Sequence, residues 1–483
     1  MKHLKTLVVL ALAFAFAAPA YAKTQNVKVN GSIDMYGFYR SNFDLQKGND
    51  AGVIPLSANG ATVTPQGASH TGSTVYRSDA DTYLMSITQV GVNADLTDNV
   101  STVINLINQR DWNANAFGSN APALAEGVNN LGNEFDITLD LAYVQMKEIF
   151  YAPLTMTVGR QDLVFGRGFI LGWNPQNPQG SIEATEFTQI QSFDAIRATL
   201  DFNPWTIDVV YSKIAENNHN PEDDRDMWFT NVNYKFSEYN AVAEGYFMAD
   251  LDRGTLATAG SGTENNTTYT FGGRAQFDPI SQMTLGAELA YQGGHYMIAV
   301  TNPRERDRDA WAADLFGEYR FESEWKPMVG VEFVHLSGED DLSTQSLQSY
   351  GSWNGAFRLP VYGWIHDYLE VYYQTAQTSD QAAGQNQNQI SLYGSINPMK
   401  DLKLTASYWN FWADKTMHTT PGNPGSPGLS KSMGSEIDTA LTYAYTEDVT
   451  FTFMANWFIP GNMYVSPTDA TASEYVSEVK VVF

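Results

Sequence analysis

Val27-Lys28-Val29-Asn30-Gly31-Ser32-Ile33-Asp34-Met35-Tyr36-Gly37-Phe38-Tyr39-Arg40 alternates with a period of two. Val27, Val29, Ile33, Met35 and Tyr39 fall on one side, and Lys28, Asn30, Ser32, Asp34 and Arg40 on the other. Successive side chains of a strand point to opposite faces, so this stretch is a strand with one greasy face and one polar face. The rhythm returns at Ile196/Ala198/Leu200/Phe202, Ile207/Val209/Tyr211, Leu285/Ala287/Leu289/Tyr291 and Val449/Phe451/Phe453/Ala455. A soluble β-sandwich alternates as well, so the connectors must separate the two architectures.

The connectors come in two lengths. Thr97-Asp98-Asn99, Asn203-Pro204, 237–240, 278–282, 322–326, 397–401 and Glu447-Asp448 are tight. Between them lie long polar segments: 41–80, 114–135, 163–192, 216–225, 251–266, 294–309, 338–386, 414–433 and 460–472. Tight turns at one end and long loops at the other mark an outer-membrane β-barrel. Closure is obligatory there, because a backbone group left unpaired in hydrocarbon has no water to bond. Tyr151, Trp205, Tyr239 and Trp325 stand beside short turns, where an interfacial aromatic girdle belongs. The expected fold is all-β: a transmembrane antiparallel barrel of 18 strands with short periplasmic turns and long extracellular loops. The strands are expected near 27–40, 82–96, 100–112, 136–148, 154–163, 193–202, 205–215, 226–236 and 240–250, then 267–278, 282–293, 310–321, 327–337, 387–397, 402–413, 434–446, 449–459 and 473–483. A hairpin around 361–377 would raise the number to 20. The end of the chain, Tyr475 to Phe483, alternates and stops on Phe. It looks like the terminal strand that such barrels present to their assembly machinery.

The N-terminus supplies an address. Lys2 and Lys5 precede the apolar run Leu7 to Ala18, and Ala20-Tyr21-Ala22 is an A-x-A cleavage site. Residues 1–22 therefore read as a signal peptide and 23–483 as the barrel. The formal charge of −26 becomes −28 once Lys2 and Lys5 leave with the leader, which argues against a nucleic-acid partner. No later segment holds 18 consecutive apolar residues, so helical spans are excluded. Cysteine is absent, which removes disulfides and thiolate metal ligands. The expected location is the outer membrane of a Gram-negative bacterium. The expected partners are outer-membrane lipid and lipopolysaccharide, the assembly machinery and a transported solute, with no cofactor.

Two stretches carry a family resemblance. Val158-Gly159-Arg160-Gln161-Asp162-Leu163-Val164-Phe165-Gly166 is followed by Gly168 to Trp173, then by Ser192-Phe193-Asp194-Ala195-Ile196-Arg197. Later come Gly434-Ser435-Glu436-Ile437-Asp438 and Phe458-Ile459-Pro460-Gly461-Asn462. This progression resembles the alginate-export family of outer-membrane channels. The resemblance implies an 18-stranded barrel and a channel for an anionic polysaccharide. It singles out Gly159, Arg160, Gln161, Phe193, Asp194 and Arg197 as motif residues.

Alternation assigns the lumen wall. Inward acids are Asp34, Asp140, Asp201, Asp208, Glu244, Glu288, Asp314, Glu318, Glu332, Glu436 and Asp438. Inward bases are Lys28, Arg40, Arg197, Lys235, Arg274, Arg320 and Lys403. Eleven acids against seven bases point to cations or neutral solutes, whereas the resemblance points to a polyanion. Pairing across strands, with the charges merely solvating a wall, is the plainer reading of any single one. If Asn203-Pro204 is a two-residue turn, Thr199 faces Asp208 and Arg197 lies diagonally within reach of it.

Four features stay open at this level. Arg160 shares the parity of Leu154, Met156 and Val158, which aims it at lipid unless a bulge at Gly159 turns it inward. Segment 163–192 combines Phe165, Phe169, Trp173 and Phe187 with amides, which suits carbohydrate stacking if the loop folds inward. It and 338–386 are the candidates to plug the lumen. The run Asn217, Asn218, Asn220, Glu222, Asp223, Asp224, Asp226 fits no known calcium loop and reads as solvated acid. Among enzymes, a barrel hydrolase needs a Ser/His/Asp constellation, and only His335 with Ser337 shares a strand face. No catalytic, cofactor or metal residues are assigned. The alternative functions are a barrel that grips a periplasmic partner, such as an electron-transfer sheath, and an outer-membrane hydrolase.

Overall fold

The computed structural model describes residues 26–43, 45, 54–55, 62–63, 80–112, 137–177, 182–216, 224–253, 266–298, 304–339, 349–359, 363–375, 384–416, 430–464 and 469–483. The expected leader, 1–22, and the residues 217–223 of the acidic run lie outside them.

Eighteen strands form the wall. They are β1 Asn26–Ser41, β2 Ala80–Thr97, β3 Val100–Asp111, β4 Thr138–Met146, β5 Leu154–Gln161 and β6 Phe193–Asp201. Next come β7 Trp205–Ala215, β8 Arg225–Lys235, β9 Val242–Asp252, β10 Asn266–Ile280, β11 Met283–Ile298 and β12 Ala310–Arg320. The last are β13 Met328–Leu336, β14 Gln387–Met399, β15 Leu402–Ala413, β16 Ser432–Ala444, β17 Val449–Pro460 and β18 Ala472–Val482. A further short strand, Arg304–Asp307, pairs with His295–Ile298 before the chain enters β12, so it prolongs one hairpin arm and adds no stave. Every neighbouring pair is antiparallel, and β1 pairs with both β2 and β18. That last pairing shuts the cylinder and leaves no open edge in hydrocarbon.

The two faces differ as the alternation requires. Val29, Leu84, Ile104, Phe271, Leu289 and Leu392 are exposed on the outside. Tyr151, Trp205, Tyr239 and Trp325 are exposed beside the short turns, in the place of a girdle. Inward residues divide by depth: in β1 the periplasmic Lys28 is exposed while Asp34, Tyr36, Phe38 and Arg40 are buried. In β12, Ala310, Ala312 and Asp314 are buried and Arg320 is exposed. The extracellular half of the lumen is thus filled and the periplasmic half is wet.

Two long connections supply the filling. Leu163, Phe169, Leu171 and Phe187 come from the β5–β6 connection, and Trp353, Phe357, Ile365 and Leu369 from the β13–β14 connection. Leu163, Phe169 and Leu171 cluster with Phe357, Ile365 and Leu369 of the second connection and with Phe193, Phe229 and Phe411 of the wall. Phe187 belongs to a second cluster with Tyr36, Phe38 and Met85. The two connections also bond one another: the Gly172 and Trp173 amides donate to the Phe357 carbonyl, and the Leu359 amide to that of Gly168. The apolar core of this protein therefore lies inside the cylinder. The hairpin considered around 361–377 does not form: Trp364–Thr375 is an α-helix, α1, inside the lumen, and the strand number is 18.

Candidate functional site

The Gly-Arg-Gln and Phe-Asp-Ala stretches meet at the extracellular ends of β5 and β6. Cross-strand pairing sets Gly159 opposite Ala195, Arg160 opposite Asp194 and Gln161 opposite Phe193. Gln161 points inward and its amide donates to the carbonyls of Thr157, Gly159 and Ala195. Arg160 faces outward at the rim. Its guanidinium donates to the Leu139 carbonyl at 2.9 Å, to Asp194 at 3.2 Å and to Asn177 Oδ1 at 2.6 Å. Register runs unbroken from Met156 to Arg160 against β4, so no bulge at Gly159 turns the arginine. The bulge lies one strand away, at Asp140, which it aims inward to accept from Asn105 at 2.9 Å. Gly159 is needed for another reason: its φ is +125°, and a Cβ would stand 2.2 Å from the Ala142 carbonyl oxygen. Asn177 in turn donates to the Ser192 carbonyl at 3.0 Å. This motif thus ties down both ends of the in-folded segment 162–192.

The second motif anchors the other filling. Glu436 is fully buried on β16 and accepts the backbone N–H groups of Ile365 and His366 at 2.8 and 2.7 Å. Those are orphan donors of the first turn of α1, which a carboxylate satisfies well. Gly363 makes the approach possible, with φ +84° and space too small for a Cβ beside the Glu436 carboxyl. Arg40 joins both segments to the wall. It pairs with Glu474 at 2.8 Å and with Glu186 of the β5–β6 connection, and Phe43 and Tyr368 of α1 lie against its guanidinium. Neither Glu474 nor Glu186 was among the sequence candidates. Glu474 follows the parity of Lys480 and Glu478 and was legible; Glu186 sits in a loop without periodicity.

Beneath the filling, three consecutive residues, Phe165, Gly166 and Arg167, run along the inner wall from β6 to β13. Phe165 packs on Phe229 of β8 and under Arg197 of β6, at 4.5 and 5.0 Å. A Cβ on Gly166 would touch Arg274 of β10 at 3.1 Å and Glu288 of β11 at 3.5 Å. Arg167 bonds Asp314 of β12 at 2.9 Å and Glu332 of β13 at 2.8 Å, and lies over Phe316 at 4.1 Å. The neighbours are paired too. Arg197 Nε donates to Asp208 at 2.8 Å, with Thr199 opposite Asp208 in register. Arg274 bonds Glu244 at 2.6 Å, Tyr246 donates to Glu288 at 2.9 Å, and Arg320 bonds Glu318 at 2.5 Å. Asp438 accepts from Ser407 on the far wall at 3.3 Å.

Burial sorts these charges. Eight of the eleven inward acids are buried, and of the rest only Asp201 is exposed. Of the seven inward bases, Lys28, Lys235, Arg320 and Lys403 are exposed and only Arg40 is buried. In the Arg167 triad the arginine side chain is 34% exposed, against 4% for Asp314 and 8% for Glu332. Cations thus face the water and most of their acids stand behind them.

His335 and Ser337 do not form a catalytic pair. His335 Nδ1 meets Asn388 Oδ1 at 2.7 Å and its ring lies on Trp311, while Ser337 donates to the Gly351 carbonyl at 2.8 Å. Asp224 and Asp226 are not the solvated acids expected of this run: both are buried and ion-paired, with Lys213 and, for Asp226, also Arg253.

A family model described as alginate export matches residues 69–477. The chain belongs to the alginate export family. Like other members it is an outer-membrane β-barrel channel, and the two stretches singled out by resemblance hold the lumen filling. No curated protein matches the sequence. Among solved structures, Pseudomonas aeruginosa OccK2 (OpdF) in complex with glucuronate is similar at TM-score 0.51 and 9% identity, covering 95% of this chain and 98% of that one. A second structure of OccK2 (OpdF) gives TM-score 0.50 and 9% identity over 95% of this chain and 99% of that one. At that identity the likeness is one of fold.

Proposed function

We propose that this channel of the alginate export family passes carboxylate-bearing saccharides, with no catalytic step. The observation that carries the reading is the set of water-facing guanidiniums of Arg167, Arg197 and Arg320: Asp314, Glu332 and Asp208 are buried behind the first two, and Arg320 is itself more exposed than its partner Glu318. A guanidinium takes a carboxylate through paired, charge-assisted bonds. Phe165 and Phe316 lie under Arg197 and Arg167 and hold the two guanidiniums in place. Family membership supports the same class of solute, and OccK2 (OpdF), a barrel of the same fold, has been seen with glucuronate.

The excess of inward acids favours a second reading, a pore for cations, since fixed charge in a narrow wet lumen sets the local potential. A reversal potential in a salt gradient across a planar bilayer decides. The first reading expects anion selectivity that falls in Arg197→Ala and Arg320→Ala. Strong cation selectivity, unchanged in those variants, overturns it.

A further inference from the structure

The wall behind α1 is unlike the wall beneath Phe165. On β14, Gln389 and Ser391 point inward; on β16, Glu436 and Asp438; on β17 and β18, Asn456 and Glu474. All are buried, from 0% to 8% exposed. A surface meant to stay dry against a helix is ordinarily apolar, because each buried polar group without a partner is costly. Here the packing is incomplete in that sense. Both ends of the Gln389 amide, the Ser391 hydroxyl and one oxygen each of Asp438 and Asn456 have no hydrogen-bond partner among the described residues.

What α1 does place on this wall has a recognisable chemistry. The His366 ring stacks on Phe411 at 3.6 Å, nearly parallel, and its Nε2 lies 2.9 Å from Gln387 Oε1. Two neighbouring N–H groups sit on the Glu436 carboxylate. Trp409 lies parallel to Phe411, 6.0 Å away. A flat ring on aromatic faces, with adjacent donors on carboxylates and amides, is how a hydroxyl-rich sugar would be held.

We propose that the inner wall of β14–β18 is a saccharide track that recognises hydroxyl groups, occupied in the closed channel by α1, and that α1 and the transported chain compete for it. The proposal deepens the reading of the channel as a saccharide passage. The guanidiniums on β6–β13 take one edge of the chain and this strip takes the other. It does not depend on the solute being charged, and a neutral probe keeps the two readings apart.

The test uses the full chain in lipid vesicles. The protein has no cysteine, so Asn456→Cys introduces a single thiol on the strip, on a strand against which α1 packs. Its labelling by a charged, water-soluble maleimide is expected to be slow. Adding Glu436→Ala frees the first turn of α1 and is expected to speed labelling about tenfold or more, the shift that two lost hydrogen bonds produce. Glu436→Gln, which keeps one acceptor oxygen, should fall between. Maltohexaose should then slow labelling in the Glu436→Gln background, which keeps a hydrogen-bonding side chain on the strip. Unboiled gel migration identifies folded protein in each case. Labelling in folded protein that Glu436→Ala does not accelerate overturns the displacement of α1. Accelerated labelling that maltohexaose leaves unchanged overturns the track and makes α1 only a plug.

Discussion

At Arg40 one guanidinium faces two carboxylates. Glu474 comes from the wall and Glu186 from the β5–β6 connection. A single negative charge balances the site, so the second carboxyl holds its proton more tightly. Burial pushes Glu186 up to about 7 from 4.5, Arg40 pulls the other way, and Glu474 adds to the rise. The folded value is the raised one. Stability of the in-folded segment is therefore fully present below the ordinary value and is lost as pH rises through about 7. The expected outcome is a channel that opens more often at mildly alkaline pH than at acidic pH, read as open probability in single-channel recordings. Glu186→Gln should flatten that profile at the acidic, closed level. A profile unchanged by the substitution would place the titrating group elsewhere.

The elements follow local pattern wherever a strand has a wet or lipid face. Trp205–Ala215 and Leu402–Ala413 have the bounds that alternation and turns predict. α1 departs from it. Trp364, Ile365, Tyr368 and Leu369 have helical spacing, but the surrounding Val and Tyr residues suit a strand equally well. No Ser, Thr or Asp caps the helix locally; its cap is Glu436, 71 positions away from Ile365. At the other end of the chain, β18 is the seam. Gly31 and Phe483 exchange backbone bonds at 2.9 and 3.0 Å, and the Phe483 ring lies 2.8 Å from where a Gly31 Cβ would be. Deleting Phe483 is expected to lower the yield of protein reaching the outer membrane, measured by fractionation, and to leave the unit conductance of assembled channels unchanged. Normal yield would count against a role of this strand in assembly.

For the whole molecule, closure governs stability. β1 meets β18, so every stave is bonded on both sides and opening anywhere exposes a row of unpaired groups to lipid. The folded protein should therefore survive detergent and migrate differently on a gel before and after boiling. Identical migration, together with a helical circular dichroism spectrum, would contradict the barrel. The sequence by itself determined the cylinder: period-two alternation and connector lengths are local signals, and each strand displays its two faces independently of its neighbours. It also placed Arg197 against Asp208, because a tight turn converts sequence separation into register. Only the tertiary structure decided what fills the lumen and which charges meet water. Glu186 meets Arg40 across 146 positions and Glu474 meets it across 434. The parity that put acids and bases on one face carries no information about depth. Burial depends on which distant segment folds over each residue, and no local period encodes that.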